Sequence, residues 1–477
     1  MKFNYPVFAA LILIAILFSS EADAQSLQQR KTDSTFVLVK RYFNNRQADS
    51  LYEMGGKNFK NSLSKDGFRA VAEQQLFPLK EIKGSSFVSF VNNNVATYKL
   101  IFESVTLQML LSLDHDDKIE MFLFQPYKEV TADKLTQAAS TNKRITLADK
   151  KIDSVARPYI QKANTTGLSI GVFKDGQIST YNYGETTKSN GKLPNANTLF
   201  EIGSISKTFT SAILAYYVNE DKVKLTDPIT KYLPDSVKTN AALNDITLVM
   251  LSNHTSGLSR MPDNMNIKPG DELNPYKTYD KALLFGYLKT CKLNSKPGEQ
   301  YAYSNLAVGL LGTILMQISG KTYDQLVADV VCNPLGMKST TQHLLPSLQA
   351  RLATVYNADG NITPPWDFDA LAPCGSLHSS VNDLMLYAKA NMNPANNKLG
   401  KALELTHQIT FTKGIKLGLA WHIITVDGVD YIFHNGGTFG SSTFLAFNKQ
   451  KNLIVIVLSN CGESVDGIGT GILKKLQ

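Results

Sequence analysis

Paired histidines, patterned cysteines, clustered basic residues and a second long apolar run are all missing from this 477-residue chain. The seven histidines include no His-x-His or His-x₃-His pair, which argues against a metal hydrolase, and no metal or cofactor is expected. Four cysteines, Cys291, Cys332, Cys374 and Cys461, have neither metal-site nor thioredoxin spacing. An oxidising compartment would leave their pairing open, and mostly free, buried thiols are the expectation. The formal charge is +8, but its basic residues are spread along the chain with no Arg-rich run. Nucleic acid is therefore not an expected partner, and solvated surface charge accounts for the excess. Beyond the first 24 residues no stretch has the length of a membrane-spanning helix.

What is present begins with a leader. Met1 to Ala24 carries Lys2, an apolar run from Val7 to Phe18 and the small-residue site Ala22-Asp23-Ala24, the pattern of a secretory signal. No cysteine follows the cleavage point, so a lipid anchor is not indicated there. The expected mature protein is periplasmic or secreted, with no stable membrane insertion after signal cleavage.

Residues 25–145 read as a small α+β domain. Thr35–Phe43, Asp49–Met54 and Phe68–Glu73 have helical texture. After Gly84 the pattern alternates, as in Ala96/Tyr98/Leu100/Phe102, with turns at Asn92–Asn94 and Asp114–Lys118. Helices followed by a meander resemble nuclear-transport-factor-2-like or cystatin-like domains. No catalytic set is visible there, and binding, oligomerisation or spacing are the candidate roles. Thr131–Asp149 reads as helix or linker.

Residues 150–477 carry the chemistry. Ser204 and Lys207 lie three residues apart where an apolar lead-in meets Gly203 and an apolar helix follows. A serine hydroxyl needs a base, and an amine in a desolvated setting can serve as one. The same spacing recurs at Ser62/Lys65, Ser140/Lys143 and Ser189/Lys192 in polar surroundings, so the motif alone fits a helix cap with a surface lysine better. Tyr303 and Asn305 open a second apolar helix and offer a phenol and a carboxamide. Phe433-His434-Asn435-Gly436-Gly437 falls in β-type sequence, where glycine allows a backbone N–H to approach a ligand; the plainer alternative is a hairpin end with a surface histidine. The remaining β-type sequence comprises a hairpin over residues 166–181, with Asp175-Gly176 at its turn, and strands over 418–425, 431–433, 443–447 and 453–458. Helical and irregular sequence fills residues 205–400 between them.

Three further landmarks lie in order with these motifs: Ile246–Leu258, Asn333–Ser339 and Gly375–Leu384. Together the six resemble the serine β-lactamase, D-Ala-D-Ala carboxypeptidase and esterase superfamily, in its class C-like branch. The resemblance implies an antiparallel sheet flanked by helices plus an all-helical subdomain, with the site in the cleft between them. It implies two-step acyl transfer in which Ser204 attacks a carbonyl and Lys207 and Tyr303 handle its proton, the base of the two being unassigned. Asn305 would fix the acyl side-chain carbonyl, His434 and Gly436 would contact substrate, and the N–H groups of Ser204 and Gly437 would form the oxyanion hole. Class C β-lactamases carry lysine where this chain has His434, and a largely neutral histidine grips a carboxylate less firmly. The expected substrate is accordingly a D-amino-acid peptide, amide or ester, with peptidoglycan fragments among the candidates. A β-lactamase, or a non-catalytic penicillin-binding-like sensor or scaffold, are the alternatives. Oligomeric state is not readable from the sequence.

Overall fold

The computed structural model describes residues 27–91, 95–127, 138–265 and 267–477. The expected leader and the expected turn at Asn92–Asn94 lie outside the described residues, as does the 131–137 part of the expected linker. Among the described residues no helix is long and apolar enough to cross a membrane. Two compact units divide the chain, Met1–Thr131 and Ala132–Gln477.

The first unit opens with helix α1 (Leu27–Asn44), followed by the short helices α2 (Ala48–Glu53), α3 (Lys57–Ser62) and α4 (Lys65–Val71). Ser64 starts α4 by accepting the Gly67 N–H at 3.2 Å. Four strands then form an antiparallel meander in sequence order: β1 (Gly84–Val91), β2 (Val95–Ile101), β3 (Thr106–Leu113) and β4 (Ile119–Pro126). Ala96, Tyr98, Leu100 and Phe102, the alternating set of β2 and its exit, are buried with Phe36, Phe43 and Phe68 from the helices. Phe36 stacks on Tyr98 with ring centroids 3.8 Å apart.

The second unit is built around a six-stranded antiparallel sheet. Its strands are β5 (Gly167–Lys174), β6 (Gln177–Gly184), β9 (His422–Val426), β10 (Val429–Gly437), β11 (Ser442–Asn448) and β12 (Leu453–Ser459), in the order β6-β5-β12-β11-β10-β9. A separate two-stranded ribbon pairs β7 (Phe200–Glu201) with β8 (His378–Ser379). Asp175 and Gly176 both have positive φ, 50° and 88°, which matches the twist of the β5–β6 hairpin. Strand β12 is apolar without a break because both sheet faces are covered. Leu453, Val455 and Val457 join one core with α5 (Leu147–Ile160) and, at the far end of the chain, α11 (Asp466–Leu476); Ile454, Ile456 and Leu458 join the larger core on the other face.

That larger core contains α6 (Ser206–Asn219), α8 (Asn305–Ser319), α9 (Val381–Met392) and α10 (Lys398–Thr406), with α7 (Lys281–Leu288) beyond. Helix α8 is capped by Ser304, whose Oγ accepts the Ala307 N–H at 2.9 Å. Glycine inside a helix costs about 1 kcal/mol relative to alanine, so its presence calls for a packing reason. At Gly312 that reason is Pro373: a Cβ there would stand 2.0 Å from the proline Cγ. The turn Ala372–Cys374 thus rests directly on the helix backbone. Gly312→Val is expected to lower stability by about 1–3 kcal/mol through overpacking, measured by urea unfolding, with unchanged stability counting against the close approach.

All four cysteines are free and buried. Cys374 is one of them, and its backbone carbonyl, not its thiol, reaches the candidate site.

Candidate active site

Ser204 stands in a single 3₁₀ turn, Gly203–Ile205, between β7 and α6, one turn ahead of the helix proper. The three-residue spacing carries Lys207 back over this turn. Its Nζ lies 2.9 Å from Ser204 Oγ and 2.6 Å from the Cys374 carbonyl. Helix α6 is buried on all sides over its first ten residues, so Lys207 is 0% exposed and its amine has been drawn wholly out of water. The sequence-based alternative of a surface lysine does not describe this position.

Tyr303 completes the group from the start of α8. Lys207 Nζ lies 4.8 Å from the Tyr303 ring centroid and the Arg260 guanidinium 5.1 Å from it. The turn that carries Tyr303 is held to the main chain of the 259–260 segment: Asn305 N–H donates to the Arg260 carbonyl at 2.9 Å and Ser304 Oγ donates to the Ser259 carbonyl at 2.6 Å. Asn305 is mostly buried. Its Nδ2 donates to Tyr276 Oη at 2.8 Å, and its Oδ1 has no partner among the described residues.

From the sheet, β10 brings Gly436 and Gly437 against the serine turn. Gly203 has φ +49°, and a Cβ on it would meet Gly437 N at 2.6 Å. Ser204, Arg260, Tyr303, Asn435, Gly436, Gly437, Thr438 and Asp466 line one cavity of about 390 Å³. His434 points away from solvent and is 1% exposed. Its Nδ1 donates to the Asn435 carbonyl at 2.5 Å, leaving Nε2 as a lone-pair acceptor without a partner among the described residues.

Three side chains that the motif reading did not single out belong to the same neighbourhood. His254, with φ +61°, accepts the Ser304 N–H on Nδ1 at 3.2 Å and stacks near Tyr303, so it braces the Tyr303–Asn305 turn. His422 Nε2 meets Tyr301 Oη at 3.0 Å and its ring lies 5.3 Å from that of His434. Burial, with Lys207 close by, holds all three imidazoles below their ordinary range, His422 at about 4. His254 lies within the Ile246–Leu258 landmark, which was the signal available for it.

Glu201 is the third. It is buried three residues before Ser204, where Oε1 accepts the Trp366 N–H at 2.6 Å and Oε2 accepts the Thr438 hydroxyl at 2.7 Å. It therefore ties β7, which leads into the Ser204 turn, to the residue that follows Gly437. Burial lifts its carboxyl from 4.5 to about 7. As pH rises from about 4.5 to 7 the unfolded chain loses this proton first, so folding stability falls across that window, by roughly 3 kcal/mol in all, and levels off above it. Glu201→Gln should remove the window, giving a higher Tm than the wild type at pH 8 and no advantage at pH 5. Equal differences at both pH values would discard the assignment.

The comparisons with known proteins concern the second unit. The Beta-lactamase family profile matches residues 152–475. A β-lactamase of Pseudomonas fluorescens is 28% identical over 346 residues, covering 65% of this chain and 92% of its own. AmpH of Escherichia coli K12, a D-alanyl-D-alanine-carboxypeptidase/endopeptidase, is 31% identical over 325 residues, 64% of this chain and 82% of its own. A solved class C β-lactamase superposes with a TM-score of 0.62 at 25% identity, over 69% of this chain and 96% of that one. With the profile running through nearly all of the second unit, the chain belongs to the β-lactamase family of serine hydrolases.

Proposed function

We propose that the protein is an exported hydrolase that acts through a Ser204 acyl-enzyme on a D-amino-acid peptide, amide or ester. The observation that carries this reading is the buried contact between Ser204 Oγ and Lys207 Nζ, 2.9 Å, at the floor of a cavity lined by Gly437 and Tyr303. Ser204 Oγ attacks the substrate carbonyl carbon and its proton passes into the Lys207–Tyr303 pair. Collapse of the tetrahedral adduct breaks the bond to the leaving group, which takes that proton. Water then attacks the ester, gives a proton to the same pair, and releases the acid and the serine. Because the two groups act on one proton, the base is a property of the pair. The backbone N–H groups of Ser204 and Gly437 would hold the oxyanion.

His434 supports peptidase or esterase over β-lactamase chemistry. A neutral, inward-facing imidazole provides no fixed positive charge for a substrate carboxylate, and AmpH supports the same direction. The β-lactamase reading is favoured by the match to the P. fluorescens enzyme. The leader sequence supports export to the periplasm or medium, with cell-wall-derived peptides within reach. Intact-protein mass after brief exposure to a fluorescent penicillin and, separately, to a fluorophosphonate separates these readings. A long-lived penicillin adduct means a peptidase, and rapid penicillin hydrolysis a lactamase. Fluorophosphonate labelling alone means an esterase, and no Ser204-dependent adduct with either overturns the nucleophile assignment.

A further inference from the structure

The Ser204 cavity is electrically two-sided. Among the residues lining it, Arg260 is the one cation and Asp466 the one anion, and neither has an ion-pair partner among the described residues. Arg260 lies against Tyr303, on the wall that leads into α8. Asp466 opens α11 on the opposite wall and reaches β10, where its Oδ2 accepts Asn435 Nδ2 at 2.9 Å. Its Oδ1 is buried and takes no partner among the described residues. The N-terminal end of α11 favours the carboxylate, but no cationic side chain among the described cavity-lining residues balances it on that wall: His434, next to Asn435, is neutral and turned inward, and Lys207 is taken up by Ser204 and the Cys374 carbonyl. A carboxylate oxygen left without a donor in a partly desolvated place is costly, and an incoming cation removes that cost.

We propose that Asp466 makes the β10–α11 wall a cation-accepting subsite, so that the preferred substrate carries a positively charged group there and not a carboxylate. The proposal rests on Ser204 being the nucleophile and adds the charge of the group that leaves. In a carboxypeptidase the terminal carboxylate belongs to the leaving residue. On this wall it would face Asp466, a like charge, and be disfavoured. A cationic leaving group instead meets a carboxylate of opposite charge. Arg260, on the far wall, remains available to an anionic acyl portion.

The test compares two N-acetyl-D-alanyl thioesters with the full chain, one of mercaptoacetate and one of thiocholine. Their leaving groups differ chiefly in charge, and thiol release is followed directly. The wild type is expected to favour thiocholine in kcat/KM by about tenfold, a typical size for a close charge pair at a wet site. Asp466→Asn should shrink the ratio towards one, and Asp466→Lys should invert it. Fluorophosphonate labelling of Ser204 in both variants checks that they fold. Equal or better use of the mercaptoacetate ester by the wild type, or an unchanged ratio in Asp466→Asn, overturns the subsite while Ser204-dependent turnover keeps the hydrolase reading. Absence of any Ser204-dependent thiol release overturns both.

Discussion

Lys207→Met is expected to lower kcat/KM by about a thousandfold or more with Ser204 still in place, and Ser204→Ala to abolish covalent labelling outright. Losses of this size are usual when the nucleophile or its proton acceptor is removed from a serine hydrolase. The geometry gives the reason. The amine sits 2.9 Å from the hydroxyl it serves, and no water replaces it because the side chain is fully buried. Methionine keeps the length and most of the volume but neither donates nor accepts strongly. It also leaves the Cys374 carbonyl without its 2.6 Å donor, which should cost about 1–3 kcal/mol of stability. Kinetics and urea unfolding therefore need to be measured together. A stable Lys207→Met protein within tenfold of wild-type kcat/KM would exclude the lysine from proton transfer.

Gly203→Ala carries the second largest expected effect, a fall in acylation rate of about a hundredfold or more. Gly203 has positive φ, which alanine tolerates only at a cost of about 1–2 kcal/mol. Its added methyl would meet Gly437 N at 2.6 Å and Gly437 O at 2.9 Å, both below any allowed contact. Strand β10 must then retreat from the serine turn, and with it one of the two proposed oxyanion donors. Losing one such donor typically costs 10²–10³ in rate, about 3–4 kcal/mol. Stopped-flow labelling with the fluorophosphonate reads this directly, and a wild-type acylation rate would show that Gly437 takes no part.

Much of this site is legible in the sequence because its motifs are local. Ser204 and Lys207 are one turn apart, Tyr303 and Asn305 share one capped helix start, and Gly436-Gly437 end one strand. The β5–β6 hairpin is equally readable from Asp175-Gly176, and β12 from its unbroken apolar run. What the sequence does not display are contacts between segments far apart. The Cys374 carbonyl reaches Lys207 across 167 residues, and Glu201 reaches Thr438 across 237. Neither carries a pattern of its own, since a carbonyl is present at every residue and a glutamate before a helix usually reads as a capping charge. Strand bounds also shift. The sequence pattern predicts a strand at 431–433, whereas β10 runs Val429–Gly437 and so includes the glycines. Glycine depresses strand propensity, and here pairing with β11 at Gly436↔Thr443 and Gly437↔Ser442 overrides it.

The sheet has a consequence for how the protein comes into being. Strand β5, near the beginning of the second unit, is hydrogen-bonded to β12, near its end, and Ser459 Oγ donates to the Gly167 carbonyl 292 residues away. Gly437 reaches its place only through β11 and β12. A ribosome therefore releases Ser204 and Lys207 long before the strands that complete their surroundings exist. Assembly must wait for β11 and β12, which makes it slow and leaves apolar strands unpaired meanwhile. The same delay means that a chain cut short before β10 carries Ser204 and Lys207 without Gly437 beside them, so on the proposed mechanism hydrolytic activity is tied to synthesis of β10–β12.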